Sequence, residues 1–208
     1  NTINTLKEFC ETHSISLKII SFKENFNNSL DEILIKKKFR PCSVCGIFRR
    51  YLLNQNSRGF DALATGHNLD DEVQAVVMNL IKNNITTLNR QGPISGILNS
   101  TKFTKRIKPL YLCLEKEVMI YSYLNNLTTK FNECPNVSKA FRLRVRDSLN
   151  QFEMNFPNTK LKIITWFINY KKNIKRGVNS PKKCKVCGEN STNEVCNTCN
   201  YVRKIKCL

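Results

Sequence analysis

The stretch Asp61-Ala62-Leu63-Ala64-Thr65-Gly66-His67-Asn68-Leu69-Asp70-Asp71-Glu72 changes character at its glycine. Before Gly66 lies a short apolar run of strand type. After it, Val73, Val76, Val77, Leu80 and Ile81 recur on one face of a helix. A strand passing directly into a helix is the unit from which parallel α/β sheets are built, and ligands gather at the carboxyl ends of such strands. Gly66 lets a ligand approach the backbone, and the helix N-terminus that follows favours anions. Asn68 is a good N-cap, and acids in the next positions suit the helix dipole without any further purpose. Capping leaves His67 and the full acidic run unexplained. Gly66, His67, Asp70 and Asp71 are therefore candidate site residues.

The same alternation extends outward from this unit. Residues 2–13 read as a helix, with Ile3, Leu6 and Phe9 three apart, and residues 17–22 as a strand. Ser29 and Glu32 make an S-x-x-E box at a helix start. Val44, Ile47, Phe48, Tyr51 and Leu52 trace an amphipathic stripe that leaves Arg49 and Arg50 on another face. Downstream, the pattern predicts a strand over 106–110 and helices over 115–125, 138–155 and 159–173. This order implies a three-layer α/β domain with a mainly parallel sheet over residues 1–175. A basic linker over 171–183 leads to a cysteine module over 176–208.

With 208 residues the chain can bury a core. No run of 18 apolar residues is present, so no helical membrane span is expected. The first residues lack the basic and apolar regions of a signal peptide. The absence of an initiator Met suggests a start within a longer protein. Lys and Arg number 34 against 16 Asp and Glu, a net charge of +18. Residues 1–137 carry 18 basic and 12 acidic groups, and residues 138–208 carry 16 and 4. Such a one-sided excess favours a polyanionic partner, although it also serves solubility alone. Six of the ten cysteines sit in three CxxC pairs. That spacing suits metal chelation or thiol chemistry in a reducing compartment, which places the protein in the cytosol.

Two of those pairs, Cys184-Lys-Val-Cys187 and Cys196-Asn-Thr-Cys199, lie eight residues apart. Each turn can present two thiolates, and two turns close a four-sulfur shell around structural zinc. A module of this size cannot bury enough apolar area to fold without its metal. The third pair, Cys42-Ser-Val-Cys45, opens a helix carrying Arg49 and Arg50, a setting that suits nucleophiles and metal ligands. Cys134-Pro135 follows 89 residues after Cys45. Three cysteines would leave one iron of a cluster open. A zinc site with a borrowed ligand, or a pair unrelated to Cys134, remain as alternatives on spacing alone. Cys10 and Cys113 read as core residues.

Taken together, these motifs resemble the tRNA 2-thiouridine synthetase family. The matching stretches are Arg40-Pro-Cys42-Ser-Val-Cys45-Gly-Ile-Phe-Arg49-Arg50-Tyr-Leu-Leu-Asn54, then Ala64-Thr-Gly-His-Asn-Leu-Asp-Asp-Glu72. Arg90-Gln-Gly-Pro93, Arg106-Ile-Lys-Pro-Leu110, Glu115-Lys-Glu117, Glu133-Cys-Pro135 and the closing cysteine pairs follow in the same order, covering about residues 15–205. The resemblance implies an adenine-nucleotide α-hydrolase-like fold and ATP-dependent tRNA thiolation. ATP, with magnesium, adenylates the C2 oxygen of a uridine, sulfur replaces that oxygen, and AMP leaves. By motif match Cys42, Cys45 and Cys134 would hold a 4Fe-4S cluster, or Cys42 and Cys134 would act as a persulfide and resolving pair. Arg49 matches a basic position at the nucleotide, Gly66 and His67 would lie against it, and Asp71, with Asp70 beside it, matches an acidic position that assists catalysis. Arg142, Arg144 and Arg146 are expected to face tRNA on grounds of charge. A ubiquitin-like carrier thiocarboxylate is the expected type of sulfur donor, and a homodimer is expected by analogy.

The chain departs from the family in lacking the SGGKDS phosphate loop and the N-terminal zinc module. A PP-loop enzyme grips pyrophosphate through that loop's backbone amides, so these 208 residues alone should not turn over ATP. The intact downstream motifs favour a fragment over a degenerate enzyme. The C-terminal cysteine pattern argues against 2-thiocytidine and lysidine synthetase relatives. A non-catalytic RNA-binding module or a scaffold derived from the enzyme is the alternative.

Overall fold

The computed structural model describes residues 2–36, 38–95, 104–127, 134–137, 141–173 and 182–206. Its main sheet has the order β1-β3-β2, with β1 at Ala62–Ala64, β2 at Ile94–Ser95 and β3 at Lys105–Ile107. β1 runs parallel to β3, with Ala62 opposite Lys105 and Ala64 opposite Ile107. Thr65 N–H extends the ladder by donating to the Ile107 carbonyl at 3.0 Å. β2 is antiparallel to β3. The α/β class expected from the sequence is present, but this sheet is mixed rather than mainly parallel. Nine residues, 96 to 104, separate β2 from β3, fewer than a parallel crossover requires.

The helices follow their end signals closely. α1 spans Thr2–Thr12, α2 Phe22–Phe26 and α3 Leu30–Lys36. The Ser29 box is formed in both directions: Glu32 N–H donates to Ser29 Oγ at 3.2 Å and Ser29 N–H to Glu32 Oε2 at 2.8 Å. α4 spans Pro41–Asn56, with Pro41 in its first turn, where the missing N–H costs nothing. α5 spans Leu69–Ile81, α6 Ile85–Leu88, α7 Glu115–Leu124, α8 Phe141–Asn155 and α9 Thr159–Lys172. The expected start of α8 at 138 lies outside the described residues. Glu153 accepts from the N–H groups of Asn158 and Lys160 at 2.9 and 2.8 Å, satisfying donors that the start of α9 would otherwise leave open.

The strand expected over 17–22 is not formed. Ile15, Leu17 and Ile19 alternate but are exposed, and among the described residues no strand pairs with them. Ser21 instead caps α2 by accepting from Lys23 N–H at 3.1 Å. Cys10 and Cys113 are half-buried rather than core residues.

Two apolar clusters hold these elements together. In the first, Leu69, Val73 and Val76 of α5 pack against Val145 and Leu149 of α8 and Ile164 and Phe167 of α9. In the second, Ile33 of α3 and Val44 and Phe48 of α4 pack against Ile205 of a final helix, α10, at Asn197–Lys206. A hairpin of β4 (Lys182–Lys183) and β5 (Asn190–Ser191) precedes α10. The cysteine module thus leans on the helix that begins with Cys42 and Cys45. The domain boundary expected at 175/176, and most of the linker around it, lie outside the described residues.

Candidate functional site

The turn from β1 into α5 places Gly66 at the carboxyl end of the strand. Its φ is not left-handed, and a Cβ built on it would meet nothing within 4 Å. Neither backbone conformation nor packing inside the chain therefore requires glycine there, and space is left for something approaching from outside. His67 Nδ1 lies 2.9 Å from Thr65 Oγ1. Burial holds the His67 pKa below its usual value, with Lys108 and Arg142 nearby acting in the same sense and Asp71 and Glu72 opposing. The imidazole is accordingly neutral near pH 7.

Each of the three successive acids has its own distant partner. Asp70 is buried; Oδ1 accepts from Lys160 Nζ of α9, and Oδ2 accepts from Glu115 N–H at 2.7 Å at the start of α7. Glu72, also buried, takes Lys108 Nζ at 2.7 Å. Asp71 closes a capping box with Asn68 and accepts from Arg142 Nη2 of α8 at 2.7 Å. Arg142 also donates to the Asp71 carbonyl at 3.2 Å and to Gln74 Oε1 at 2.7 Å. Of the three arginines expected to face RNA, Arg142 is thus turned onto α5. Arg144 is exposed, and Arg146 lies 3.4 Å from Asp147. Asp71 keeps a third of its side-chain surface in solvent, whereas Asp70 keeps 5%.

At the head of α4, Cys42 is exposed and Cys45 half-buried. Arg49 is exposed. Arg50 folds back over Gly46, its Nη1 3.3 Å from where a Cβ would stand. Arg106 of β3 approaches the same place, donating to the Arg50 carbonyl at 3.5 Å. Burial lowers the pKa of both Arg50 and Arg106, and the neighbouring guanidinium adds to it: Arg49 for Arg50, and Arg50 for Arg106. Among the described residues neither pairs with a carboxylate. In the sequence Arg106 stands out only within a motif; its approach to Arg50 joins positions 56 residues apart, which no local spacing links. Such a cluster fits phosphate or thiolate charge. Cys134 is exposed.

The four thiols of Cys184, Cys187, Cys196 and Cys199 lie within 4.8 Å of one another. Cys187 and Cys196 sulfurs are 3.7 Å apart, close to the ~3.8 Å edge of a tetrahedron with zinc–sulfur bonds of about 2.3 Å. Burial works against ionising Cys184, yet N–H groups of Cys196, Cys187 and Val186 hold its pKa down at about 6. Burial and the neighbouring thiols push Cys199 up. Thiols this crowded cannot all ionise unless a cation compensates them. Tyr51 of α4, pushed up to about 12 by burial and by Cys187 and Cys199, sits against the set. Glu189, buried within the module, pairs with Arg58 and accepts from Asn54 Nδ2 of α4 at 3.1 Å.

No family model matches the chain. It is 35% identical, over 97% of its length, to a "Probable sulfurtransferase" of Methanocaldococcus jannaschii, of which it covers 60%. It is 34% identical, over 94% of its length, to the tRNA-5-methyluridine(54) 2-sulfurtransferase of Pyrococcus horikoshii, of which it covers 63%. Among solved structures, the U34-tRNA thiolase NcsA from Methanococcus maripaludis, with its 4Fe-4S cluster, superimposes with a TM-score of 0.83 at 36% identity. That match covers 100% of this chain and 66% of the thiolase. The chain therefore spans about three fifths of the length of the curated relatives named. Likeness of this extent in both sequence and fold places the chain in the tRNA 2-thiolation protein family.

Proposed function

We propose that this chain is the catalytic part of an ATP-dependent tRNA 2-thiolation enzyme, which adenylates the C2 oxygen of a tRNA uridine and replaces that oxygen, which leaves with AMP, by sulfur. The observation that carries this reading is the match of the whole of this chain to about two thirds of a solved tRNA thiolase, 100% of the one and 66% of the other. The fold read in this way is an adenine-nucleotide α-hydrolase-like domain over 1–175, followed by a zinc module over 176–208. Cys42, Cys45 and Cys134 are assigned to a 4Fe-4S cluster, which when bound supplies an iron open to sulfide. Arg49, Arg50 and Arg106 offset the negative charge of thiolates and of ATP phosphates. Gly66 and His67 lie against the nucleotide. Asp71 is the carboxylate exposed enough to take a proton or hold magnesium, while Asp70 positions the start of α5. The four closing cysteines are assigned to zinc, because their spacing suits one ion and is too tight for a four-iron cube whose ligands each sit on a different iron. tRNA is the substrate, a thiocarboxylated carrier the type of sulfur donor, a homodimer the assembly and the cytosol the setting.

Anaerobic purification followed by iron, sulfide and zinc analysis tests the assignment. About four irons per chain and one zinc are expected. Cys134→Ala should lose the iron and keep the zinc, and Cys196→Ala should do the reverse. A protein that holds zinc alone after anaerobic reconstitution would refute the cluster.

A further inference from the structure

α9 carries an aromatic pair at the edge of its exposed face: Tyr170 is half-buried and packs partly on the core, and Trp166 stands outside it. Ile164 and Phe167 are fully buried between α5 and α8, whereas Trp166 is 48% exposed. Its indole stacks on Tyr170 one turn further along, with ring centroids 5.4 Å apart and planes 18° from parallel. Lys162 stands one turn before Trp166, so Lys162, Trp166 and Tyr170 form a row at i, i+4 and i+8. Leu161, Thr165, Asn169 and Lys172 make up the rest of the exposed side.

The charge on this helix has one sign. α9 contains Lys160, Lys162, Lys171 and Lys172 and no acid. Lys160 is committed to Asp70, and Lys171 Nζ reaches the Gln91 carbonyl. Lys162 and Lys172 are exposed, the latter 3.3 Å from Asn169 Oδ1. On the adjoining α8, Asp147 faces Arg146 and Glu153 caps the first turn of α9, so neither acid answers the two exposed lysines.

We propose that this face of α9 is a stacking platform for an unpaired nucleotide of the tRNA. In it the base lies on the Trp166–Tyr170 pair and the flanking phosphates meet Lys162 and Lys172. Every nucleobase offers a π-face, and an aromatic ring beside cations is how proteins hold single-stranded segments. Protein interfaces also use exposed tryptophan, but they are depleted in lysine, which here stands exposed one turn before Trp166 and again at the end of the helix. The proposal rests on the tRNA reading above.

Trp166 is the only tryptophan in the chain, so its fluorescence reports this face directly. The metal-loaded protein would be titrated with an unmodified tRNA transcript and, separately, with a blunt RNA duplex of the same length. Anisotropy of end-labelled RNA gives binding independently. The expected result is saturable quenching by tRNA at the anisotropy midpoint, with no quenching by bound duplex. Trp166→Ala should weaken tRNA binding by about tenfold, and Trp166→Phe, which keeps a ring, by less. Binding of tRNA with unchanged Trp166 emission and undiminished affinity in Trp166→Ala would overturn the platform and leave the tRNA reading intact. No tRNA binding by anisotropy would overturn both. A changed oligomeric state in Trp166→Ala, with tRNA affinity intact, would assign the face to a protein contact and overturn the proposal.

Discussion

At the scale of single residues, the acids after Gly66 show how much a sequence conceals. Read locally, they suit a helix dipole or a catalytic site. In the fold their partners stand far away in the chain: Lys160 for Asp70, Arg142 for Asp71 and Lys108 for Glu72. No spacing rule connects such positions, because the connection is made by the packing of α8 and α9 on α5. Asn68 as the N-cap and the Ser29–Glu32 box were legible, since both act within one turn. The Asp70–Lys160 pair is nearly devoid of solvent, so removing one member strands the other charge. Asp70→Ala should lower unfolding free energy by about 3–5 kcal/mol, whereas the double replacement Asp70→Leu with Lys160→Met should recover most of it. Urea denaturation of the three proteins checks this. A single mutant as stable as wild type would free Asp70 for a direct part in catalysis.

At the scale of elements, α4 is the shared support of both cysteine sites. Its first two turns carry Cys42 and Cys45, its apolar stripe meets Ile205 of α10, and its C-terminal half, with Arg58 just beyond it, meets the cysteine module through Asn54 and Tyr51. The amphipathic stripe of α4 was readable from its period. α10 was not, because its first three residues belong to the final CxxC and its apolar positions Tyr201, Val202 and Ile205 make sense only once α4 is opposite. The failed strand at 17–22 has the converse cause: alternation was present, but a ladder needs a partner. Because Glu189 is buried and joins the module to α4, Glu189→Ala should leave Asn54 and Arg58 unanswered and cost about 1–3 kcal/mol. With zinc assigned to the four-thiol site as proposed, stripping that metal should loosen the same contact. Both treatments should lower the melting temperature, and the mutant should release zinc to a chelator faster than wild type. Zinc release at the wild-type rate would mean that the module holds its metal independently of α4.

For the whole molecule, the mixed sheet and the two apolar clusters fix where charge is displayed. The α/β class followed from alternating strand and helix patterns, while the antiparallel β2 depended on a connection too short for a crossover. The net charge of +18 was visible from composition, but its sorting was not. Arg142, Lys160 and Lys108 are paired with Asp71, Asp70 and Glu72, and Arg144, Lys162 and Lys172 remain exposed on α8 and α9. If tRNA binds through phosphate contacts at those exposed residues, counterion release makes affinity fall linearly with salt on a logarithmic plot. Charge-neutral replacement of Lys162 or Lys172 should each flatten that slope by roughly one unit. Lys108→Met removes a cation that already has a partner, so any loss of affinity there should come with loss of stability and an unchanged slope. Anisotropy titrations of labelled tRNA across a salt series separate the cases. An unaltered slope in both surface variants would place the RNA elsewhere on the molecule, beginning with the arginine cluster of α4 and β3.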